Sequence, residues 1–347
     1  MKNILLIGAR QNKFDANDRG GVTVLFELLI KEFHSRDITF DVIDTLKANN
    51  GGSLRTLLGS IKSIVMQGCK YDHISLHGTH NSFYYLAPVV LLVAKICKKR
   101  TSIRLFAGDF GDYYDSANPL KQWLARQILQ HTDTVFFELK FLVERFITYN
   151  KHTYWFPNVR EAAIQNVKTR KFRKKFIYLG TINKEKGIDE IVETSKRLPE
   201  EYQCDLYGPL IDEKYNADYF KSQGVKYMGV VAPHEVPALL EAYDVLVLPS
   251  YKEGYPGVII EAFAAGMPVI ATKLPGIIEM CDEKKNALLI DVGSTEQLYD
   301  AIVSIDEDSY QLLHQNALEA FAQYDSEKQT DNFLTKIGYT FDSKKRT

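Results

Sequence analysis

Short apolar runs alternate with amphipathic stretches along almost the whole chain, and this alternation constrains the fold more than any other feature of the sequence. Each run is short and rich in β-branched, leucine or aromatic residues, as buried strands are. The runs are NILLIG, ITFDVID, HISLHG, SIRLFAG, TVFFE, TYWFPN, KFIYLG, CDLYG, VKYMG, VLVLPS, PVIAT and ALLID. The stretches between them include VTVLFELLIKEF, LKQWLARQILQ, IDEIVETSKRL, VPALLEAY and VIIEAFAA. Strands that alternate with helices predict right-handed βαβ units and parallel sheets.

The chain has 347 residues, more than a single hydrophobic core usually serves. The alternation breaks once, at the polar and basic segment REAAIQNVKTRKFRKKF, after which KFIYLG restarts the pattern. We therefore predict two Rossmann-like, doubly wound parallel-sheet domains. The predicted bounds are residues 1–158 for the first domain, 159–173 for a linker, 174–320 for the second domain, and 321–347 for a helix and tail that pack back toward the first domain. The basic linker is interpreted as solvated, with phospholipid contact left open.

The overall charge gives no bias toward nucleic acid or an anionic membrane, because 43 basic residues face 44 acidic ones. The most apolar segment, FYYLAPVVLLVAKIC, is interrupted by Pro88 and ends at Lys95, which is too short to span a bilayer comfortably. The first run, NILLIG, reads as a buried strand and not as a signal peptide. The four cysteines are far apart in the sequence and are interpreted as isolated thiols in a reducing compartment. We expect a cytoplasmic protein, with peripheral contact at the inner membrane face left open.

One stretch, EGYPGVIIEAFAAGMPVIAT at residues 253–272, carries most of the functional information. It follows the strand YDVLVLPS, and Pro256 suits a first helical position, so we predict a helix from Pro256 to Ala265. Ligands of doubly wound sheets bind beyond the carboxyl ends of the strands, where this loop lies. A helix start offers unpaired N–H groups to an anion, and Gly254 and Gly257 allow a close approach of the backbone.

Two carboxylates flank this turn, Glu253 and Glu261, eight positions apart (261 − 253). At about 100° per residue, Glu261 lies roughly 130° from the centre of the apolar stripe of the helix, so it faces away from the core. A carboxylate would repel a phosphate, but it can accept hydrogen bonds from neutral hydroxyl groups. Glu261 is therefore expected to bind the hydroxyls of a ribose, and Glu253 the hydroxyls of a sugar. The alternative is that Glu261 complements the helix dipole while Glu253 is a solvated turn residue. The whole strand–loop–helix context favours a nucleotide sugar.

These residues resemble the donor site of the retaining glycosyltransferases of family 4, which have the two-domain GT-B fold. The resemblance covers nearly the whole chain and is more specific in its second half, where YLGTINKEKGIDEIV, DLYGPL, YMGVV and YDVLVLPSYKEG follow in family order. In the first half, NDRGGV matches the glycine pair that approaches the donor from the facing domain. The resemblance implies an N-terminal acceptor domain and a C-terminal donor domain facing across a cleft.

The resemblance also implies the site. Lys186 falls on the family's lysine, which would stabilise the leaving diphosphate as its charge develops. The expected catalytic residues are Lys186, Glu253 and Asp109. The expected donor-binding residues are Gly20, Gly21, Thr181, Lys186, Glu253, Gly254, Tyr255, Gly257, Val258 and Glu261. No metal and no cofactor is expected, because the lysine and the helix start would supply the positive charge.

The chain departs from the family pattern at two positions. Thr181 replaces the usual arginine, and Phe106 replaces a histidine thought to assist at the transferred sugar. Asp109 could take over that role or simply cap a loop, and both interpretations stay open. His77 and His80 follow another predicted strand and are interpreted as either acceptor-side or structural.

Two acidic segments complete the candidates. Asp112 to Asp115 is assigned to the acceptor side. The sequence DED at Asp306 to Asp308 matches a metal-binding pattern of other transferases, but it follows a helix and is interpreted as a solvated helix junction.

The expected function is that of a retaining glycosyltransferase of class EC 2.4. It would move a sugar from a nucleotide-diphospho-sugar to a glycan or lipid-linked acceptor, and family analogy suggests bacterial polysaccharide or lipid-linked glycan synthesis. The alternatives are a nucleotide-sugar epimerase of the same fold and a nucleotide- or carbohydrate-binding protein with little turnover. An NAD-dependent dehydrogenase is disfavoured, because the first strand–loop lacks the G-x-G-x-x-G pattern.

Overall fold

A computed structural model describes residues 3–15, 20–161 and 170–340 of the chain. These residues form two compact units. The N-terminal unit comprises the chain up to Val159 together with the segment from Ser326 onward. The C-terminal unit runs from Arg160 to Asp325.

The N-terminal unit is built on a six-stranded parallel sheet with the strand order β2-β1-β3-β4-β5-β6. Four of the strands are wholly buried or nearly so, because helices cover both faces of such a sheet. The strands are β1 (Asn3–Gly8), β2 (Thr39–Asp44), β3 (His73–Gly78), β4 (Arg100–Leu105), β5 (Thr134–Phe137) and β6 (Thr153–Trp155).

The helices of this unit follow the strands in alternation, and the last one comes from the far end of the chain. They are α1 (Gly21–Ser35), α2 (Ser53–Gln67), α3 (His80–Tyr85), α4 (Ala87–Cys97), α5 (Phe110–Ser116), α6 (Pro119–His131), α7 (Lys140–Phe146) and α15 (Ser326–Lys336). Helix α15 packs on α1. Its Phe333 and Leu334 are fully buried in a core shared with Phe26 and Phe33 of α1, which ties the returning segment to this unit.

The C-terminal unit repeats the plan with a second six-stranded parallel sheet, in the order β12-β11-β10-β7-β8-β9. Its strands are β7 (Lys175–Leu179), β8 (Gln203–Tyr207), β9 (Lys226–Tyr227), β10 (Val245–Leu248), β11 (Val269–Thr272) and β12 (Ala287–Ile290). Its helices are α8 (Ile188–Ser195), α9 (Ala217–Ser222), α10 (Val236–Glu241), α11 (Gly257–Ala264), α12 (Pro275–Met280), α13 (Thr295–Ser304) and α14 (Glu307–Phe321).

Each of the twelve apolar runs identified in the sequence overlaps one of these strands, and the prediction of two Rossmann-like parallel sheets is confirmed. The quoted amphipathic stretches overlap α1, α6, α8, α10 and α11. This agreement has a local cause, since a strand buried on both faces must be apolar throughout, and each intervening helix needs an apolar stripe.

The basic segment between the units is not a solvated linker where the structure describes it. Arg170 donates hydrogen bonds to the carbonyl oxygens of Glu241 and Ala265, and Arg173 is paired with the fully buried carboxylate of Asp244 at 2.7 Å. The solvated interpretation is therefore wrong for these arginines, which belong to the C-terminal unit. Residues 162–169 of the predicted linker lie outside the described residues.

The expectation of four isolated thiols is also wrong. Cys69 and Cys97 form a disulfide, with Cα atoms 5.3 Å apart, because the turn after α2 packs against α4. Cys204 and Cys281 are free and buried, and burial raises the pKa of the Cys204 thiol to about 12. Among the described helices, none is both long and apolar enough to cross a bilayer.

Candidate functional site

The carboxyl ends of β7 and β10 lie side by side at the point where the strand order of the C-terminal sheet reverses. Strand β10 pairs with β7, while the chain leaves β7 toward β8 and leaves β10 toward β11, on the opposite side. A reversal of this kind opens a crevice in which doubly wound sheets bind their ligands. The two loops that carry most of the predicted donor residues start here.

The loop after β7 is shaped to place Lys186. Lys186 is the last residue of a single 3₁₀ turn, which the Asn183 side chain caps by accepting a hydrogen bond from the Lys186 backbone N–H at 3.1 Å. Gly187 then adopts a left-handed conformation with φ of 71°, and a β-carbon there would overlap the carbonyl oxygen of Pro249. The Tyr251 N–H donates to the Glu185 carbonyl at 2.8 Å, which joins this loop to the loop after β10.

Lys186 and Glu253 form an ion pair across these two loops. The Lys186 ammonium lies 2.7 Å from Oε1 of Glu253, and the same oxygen accepts a hydrogen bond from the hydroxyl of the fully buried Ser250 at 2.8 Å. Both side chains of the pair are largely shielded from solvent, at 26% and 12% exposure. The carboxylate therefore holds the ammonium in one place beside the start of α11, while its Oε2 takes no part in these contacts.

The loop before α11 is open at Gly254, and the first turn of the helix contains no acidic residue. Helix α11 has no capping side chain and no acidic residue in its first turn. Gly254 is exposed, and a β-carbon there would meet no atom within 4 Å. The Gly254 carbonyl packs so closely on Gly276 that a β-carbon at Gly276 would overlap it. An uncapped helix start of this kind has the unpaired N–H groups that an anion site needs, and the anion site itself stays a prediction.

Glu261 is held by a residue that the sequence analysis did not select. Arg160 donates from Nε to Oε1 of Glu261 at 2.7 Å, and both side chains are mostly buried, at 19% and 28% exposure. The guanidinium also occupies the place where a β-carbon of Gly257 would stand, so it lies over the first residue of α11. The sequence places Arg160 in the predicted linker, because no local pattern marks an arginine whose partner lies 101 residues away.

The other predicted donor residues of this unit contribute differently. The Tyr255 side chain is buried and its ring lies 6.4 Å from that of Tyr324, measured between centroids. Only the backbone of Tyr255 is therefore placed to contact a ligand. Val258 is partly exposed in the first turn of α11. The Thr181 carbonyl accepts a hydrogen bond from the Tyr178 hydroxyl at 2.7 Å. Burial, with a smaller contribution from the Glu253 charge, raises the pKa of Tyr178 and keeps that hydroxyl a donor.

The remaining candidates lie in the N-terminal unit. Gly20 and Gly21 open α1, and a β-carbon at either position would meet no atom of the described residues within 4 Å. The preceding residues of the NDRGGV motif lie outside the described residues. Phe106 is buried under the Arg104 guanidinium, whose carbon lies 4.6 Å from the ring centroid. It therefore belongs to the core.

Asp109 occupies the N-cap position of α5, yet its side chain makes no capping hydrogen bond. Its Oδ1 lies 3.3 Å from Nε2 of His80, and the carboxylate is 68% exposed. Burial lowers the pKa of His80, while Asp109 acts in the opposite direction. Asp109 and His80 thus meet at the carboxyl-end edge of the N-terminal sheet.

His77 does not reach that edge. It is fully buried in β3, bonded through Nε2 to the Ser75 hydroxyl at 2.8 Å, and packed on Phe26 and Phe333. Burial lowers the pKa of His77 well below its usual value. Of the two interpretations left open for His77, the structural one is correct.

The acidic segments are occupied by structural contacts. In the Asp112–Asp115 segment, Tyr114 is buried and packs on Phe146, and Asp115 is paired with Arg145. Asp306 caps α14 through the Ser309 N–H, so the interpretation of DED as a helix junction is confirmed. Within the described ranges 3–15, 20–161 and 170–340, no three His, Cys, Asp or Glu side chains are grouped so that they could hold a metal ion.

Comparisons with known proteins relate this part of the chain to glycosyltransferases. A family model described as glycosyl transferases group 1 matches residues 173–308, which span the Lys186 loop and all of α11. A relative named as a putative teichuronic acid biosynthesis glycosyltransferase, TuaC of Bacillus subtilis, is 33% identical over 132 residues. That alignment covers 38% of this chain and 33% of the relative.

A second relative, from Campylobacter jejuni, is named N,N'-diacetylbacillosaminyl-diphospho-undecaprenol alpha-1,3-N-acetylgalactosaminyltransferase. It is 29% identical over 144 residues, which cover 40% of this chain and 38% of the relative. Alignments with both relatives therefore span less than two fifths of the relatives' own length.

The fold has counterparts over its whole length. The crystal structure of HepE from Anabaena in complex with UDP superposes with a TM-score of 0.71 at 16% identity, covering 98% of this chain and 100% of that one. The two Rossmann-like units are those of the GT-B fold. Residues 173–308 thus match the group 1 glycosyltransferases, and the aligned relatives are named as glycosyltransferases.

Proposed function

We propose that this chain is a retaining glycosyltransferase that transfers a sugar from a nucleotide-diphospho-sugar to a glycan or lipid-linked acceptor. One observation carries the proposal: the ion pair of Lys186 and Glu253 in the loops that lead to the uncapped start of α11. A shielded ammonium next to a helix N-terminus is suited to a diphosphate, because both contribute positive potential at one place.

In the proposed reaction, the bond between the anomeric carbon and the diphosphate oxygen breaks, and the nucleoside diphosphate leaves with the bonding electrons. A new bond forms between the anomeric carbon and an acceptor hydroxyl oxygen, which loses its proton. Negative charge grows on the leaving diphosphate, so a fixed ammonium and backbone N–H groups stabilise the transition state more than the ground state. We therefore propose a metal-independent reaction in which Lys186 is the principal cation.

The two glutamates have different proposed roles. Glu253 fixes the Lys186 ammonium through Oε1, which leaves Oε2 for a hydroxyl of the transferred sugar. Glu261 accepts hydrogen bonds from the ribose diol, oriented by Arg160. The Arg160 guanidinium over Gly257 adds a second positive charge at the helix start, in a chain that has Thr181 where the family usually has arginine.

We propose that the two units bind different substrates. The C-terminal unit would bind the donor, and the N-terminal unit, with Asp109 and His80 at the edge of its sheet, would bind the acceptor. The Campylobacter relative carries a diphospho-undecaprenol acceptor in its name, which supports a lipid-linked acceptor. We accordingly propose a cytoplasmic protein that works at the inner face of the membrane.

The test is a thermal-shift screen against UDP-, GDP-, ADP- and CMP-sugars, followed by product analysis with the donor that binds. At 100 times its dissociation constant a ligand raises stability by about 2.7 kcal/mol, a readily measured shift. Release of nucleoside diphosphate is expected, with the α or β configuration of the donor kept in the product. Conversion of the donor to an isomeric nucleotide sugar would instead identify an epimerase, and binding without turnover would identify a binding protein.

A matched pair of lysine variants tests the proposed cation. Lys186→Gln is expected to lower turnover by about 10²–10³, the usual cost of removing one such donor from an oxyanion or leaving-group site. Lys184→Gln is the control, because Lys184 is exposed in the same 3₁₀ turn. Equal turnover in the two variants would refute the role of Lys186.

A further inference from the structure

Helix α2 carries apolar side chains on its exposed side as well as on its buried one. Its buried side consists of Ile64 and the small polar residues Thr56 and Ser60, whereas Leu58 and Met66 are 58% and 65% exposed. Helices of soluble domains normally turn their larger apolar side chains inward. The exposed face of α2 therefore has the composition of a surface that contacts a partner or a membrane.

The two helices next to α2 continue this apolar surface. Leu92 and Ile96 of α4 and Trp123 of α6 are mostly exposed. A groove of about 550 Å³ runs between α4 and α6, and Leu92 and Trp123 line it together with Leu124. An exposed tryptophan beside an apolar groove is typical of membrane and partner surfaces.

The strand order places these three helices on one face of the sheet. They connect β2 to β3, β3 to β4 and β4 to β5, and all three connections run in the same direction along the sheet. Right-handed crossovers in one direction lie on one face, and α4 indeed packs against both α2 and α6. Helix α1 connects β1 to β2 in the opposite direction, so it lies on the other face with α15.

The charged residues of these three helices are all basic, and Asp133, which follows α6, is the acidic residue among those that line the groove. The sequences of α2, α4 and α6 contain no aspartate or glutamate, while they include Arg55, Lys62, Lys95, Lys121 and Arg126. The chain as a whole has a formal net charge of −1, so the layer departs strongly from the average. Apolar side chains interspersed with lysine and arginine alone suit a surface that is both apolar and anionic.

We propose that the outer face of α2, α4 and α6 docks on a bilayer containing anionic phospholipids. A second copy of the chain fits this face less well, because a two-fold contact would set the basic residues of one copy against those of the other. Lysines can keep their ammonium groups among lipid headgroups while Leu58, Ile96 and Trp123 enter the acyl boundary. The inference extends the proposed function, since a lipid-linked acceptor lies at a bilayer, but its evidence comes from this surface alone.

Vesicle co-sedimentation of the full chain tests the proposal, with phosphatidylcholine vesicles against vesicles of phosphatidylcholine and phosphatidylglycerol. The wild type is expected to bind the anionic vesicles, and high salt should weaken that binding. Lys62→Gln/Lys95→Gln should lower the partition coefficient roughly 25-fold, about fivefold for each lysine removed. Leu58→Ser/Ile96→Ser should lower it as well. The matched controls are Lys221→Gln and Leu312→Ser, which are exposed changes in the C-terminal unit.

Fluorescence locates the contact. The chain has two tryptophans, and the second, Trp155, donates its indole N–H to the Glu138 carbonyl. Anionic vesicles should shift the emission of the wild type to the blue, and Trp123→Phe should abolish the shift. No vesicle binding, equal binding to both vesicle types, or variants that bind like the wild type would overturn the proposal. A concentration-dependent dimer that Leu58→Ser/Ile96→Ser dissociates would also overturn it, by assigning the face to self-association.

Donor binding separates this proposal from the proposed function. The surface variants should bind the nucleotide that the thermal-shift screen identifies with unchanged affinity in the absence of lipid, which also shows that they fold. Vesicle binding by a protein that releases no nucleoside diphosphate from any donor would uphold the docking surface and refute the proposed function. Donor turnover without vesicle binding would support the proposed function and refute the docking surface.

Discussion

Removal of the Glu261 carboxylate is the perturbation that most directly tests the donor site. Its Oε1 lies 2.7 Å from Nε of Arg160, and the arginine side chain is only 19% exposed. Glu261→Ala leaves that guanidinium without this carboxylate, which we expect to cost about 1–3 kcal/mol of folding stability, the range for a buried group that loses its partner. A glutamate that served only the helix dipole would cost about 0.3–1 kcal/mol.

Nucleotide affinity distinguishes a ribose contact from a purely structural ion pair. Hydrogen bonds to a charged group contribute about 1.5–3 kcal/mol, so Glu261→Ala should weaken binding roughly ten- to hundred-fold. Calorimetry with the nucleoside diphosphate and with the nucleoside alone provides the measurement. Glu261→Ala should weaken both ligands equally, because both contain the ribose. Arg160→Ala should weaken the nucleoside diphosphate more than the nucleoside, because the guanidinium lies over the helix start.

A 2′,3′-dideoxy nucleotide provides the control. The wild type should bind it poorly, and Glu261→Ala should hardly distinguish it from the normal nucleotide. If both proteins prefer the normal nucleotide to the same degree, Glu261 does not contact the ribose. The pair with Arg160 would then be structural, and the donor site would depend on Lys186 and the glycine loop.

Three further predictions follow from other parts of the structure. Transfer activity should survive EDTA, because Lys186 and the start of α11 would supply the positive charge; loss restored by Mn²⁺ or Mg²⁺ would contradict this. Asp109→Ala should lower turnover more than it lowers donor affinity. It should change the free energy of unfolding by less than about 0.5 kcal/mol, because the exposed carboxylate of Asp109 makes no capping hydrogen bond. A loss of folding stability at unchanged turnover would refute the catalytic role of Asp109. Burial lowers the pKa of His73 to about 3 and that of His77 well below its usual value, so the folded chain stays unprotonated at both while the unfolded chain binds protons below about pH 6.5. As the pH falls from 6 to 5, these two histidines should together lower the free energy of unfolding by roughly 2.5 kcal/mol, which denaturant unfolding measures. An NMR titration of either ring with a pKa near 6.5 in the folded protein would refute the reasoning.

The sequence by itself determined the strands, the helices and the chemistry of the loops, because these depend on neighbours within a few positions. A run such as VLVLPS must be buried wherever the sheet lies, and the glycines of the following turn indicate a backbone that a ligand can approach. The two parallel sheets and the start of α11 could be predicted for this reason.

Only the tertiary structure decided which distant residues meet. The periodic pattern of apolar residues in the sequence indicates that a side chain is buried, but not which residues it contacts. Lys186 and Glu253 are 67 residues apart and pair because β7 and β10 are neighbours. Arg160 reaches Glu261 across 101 residues, and Cys69 meets Cys97 where α2 ends against α4. The apolar and basic face of α2, α4 and α6 is likewise invisible in the sequence, since strand order alone brings three separate helices onto one surface.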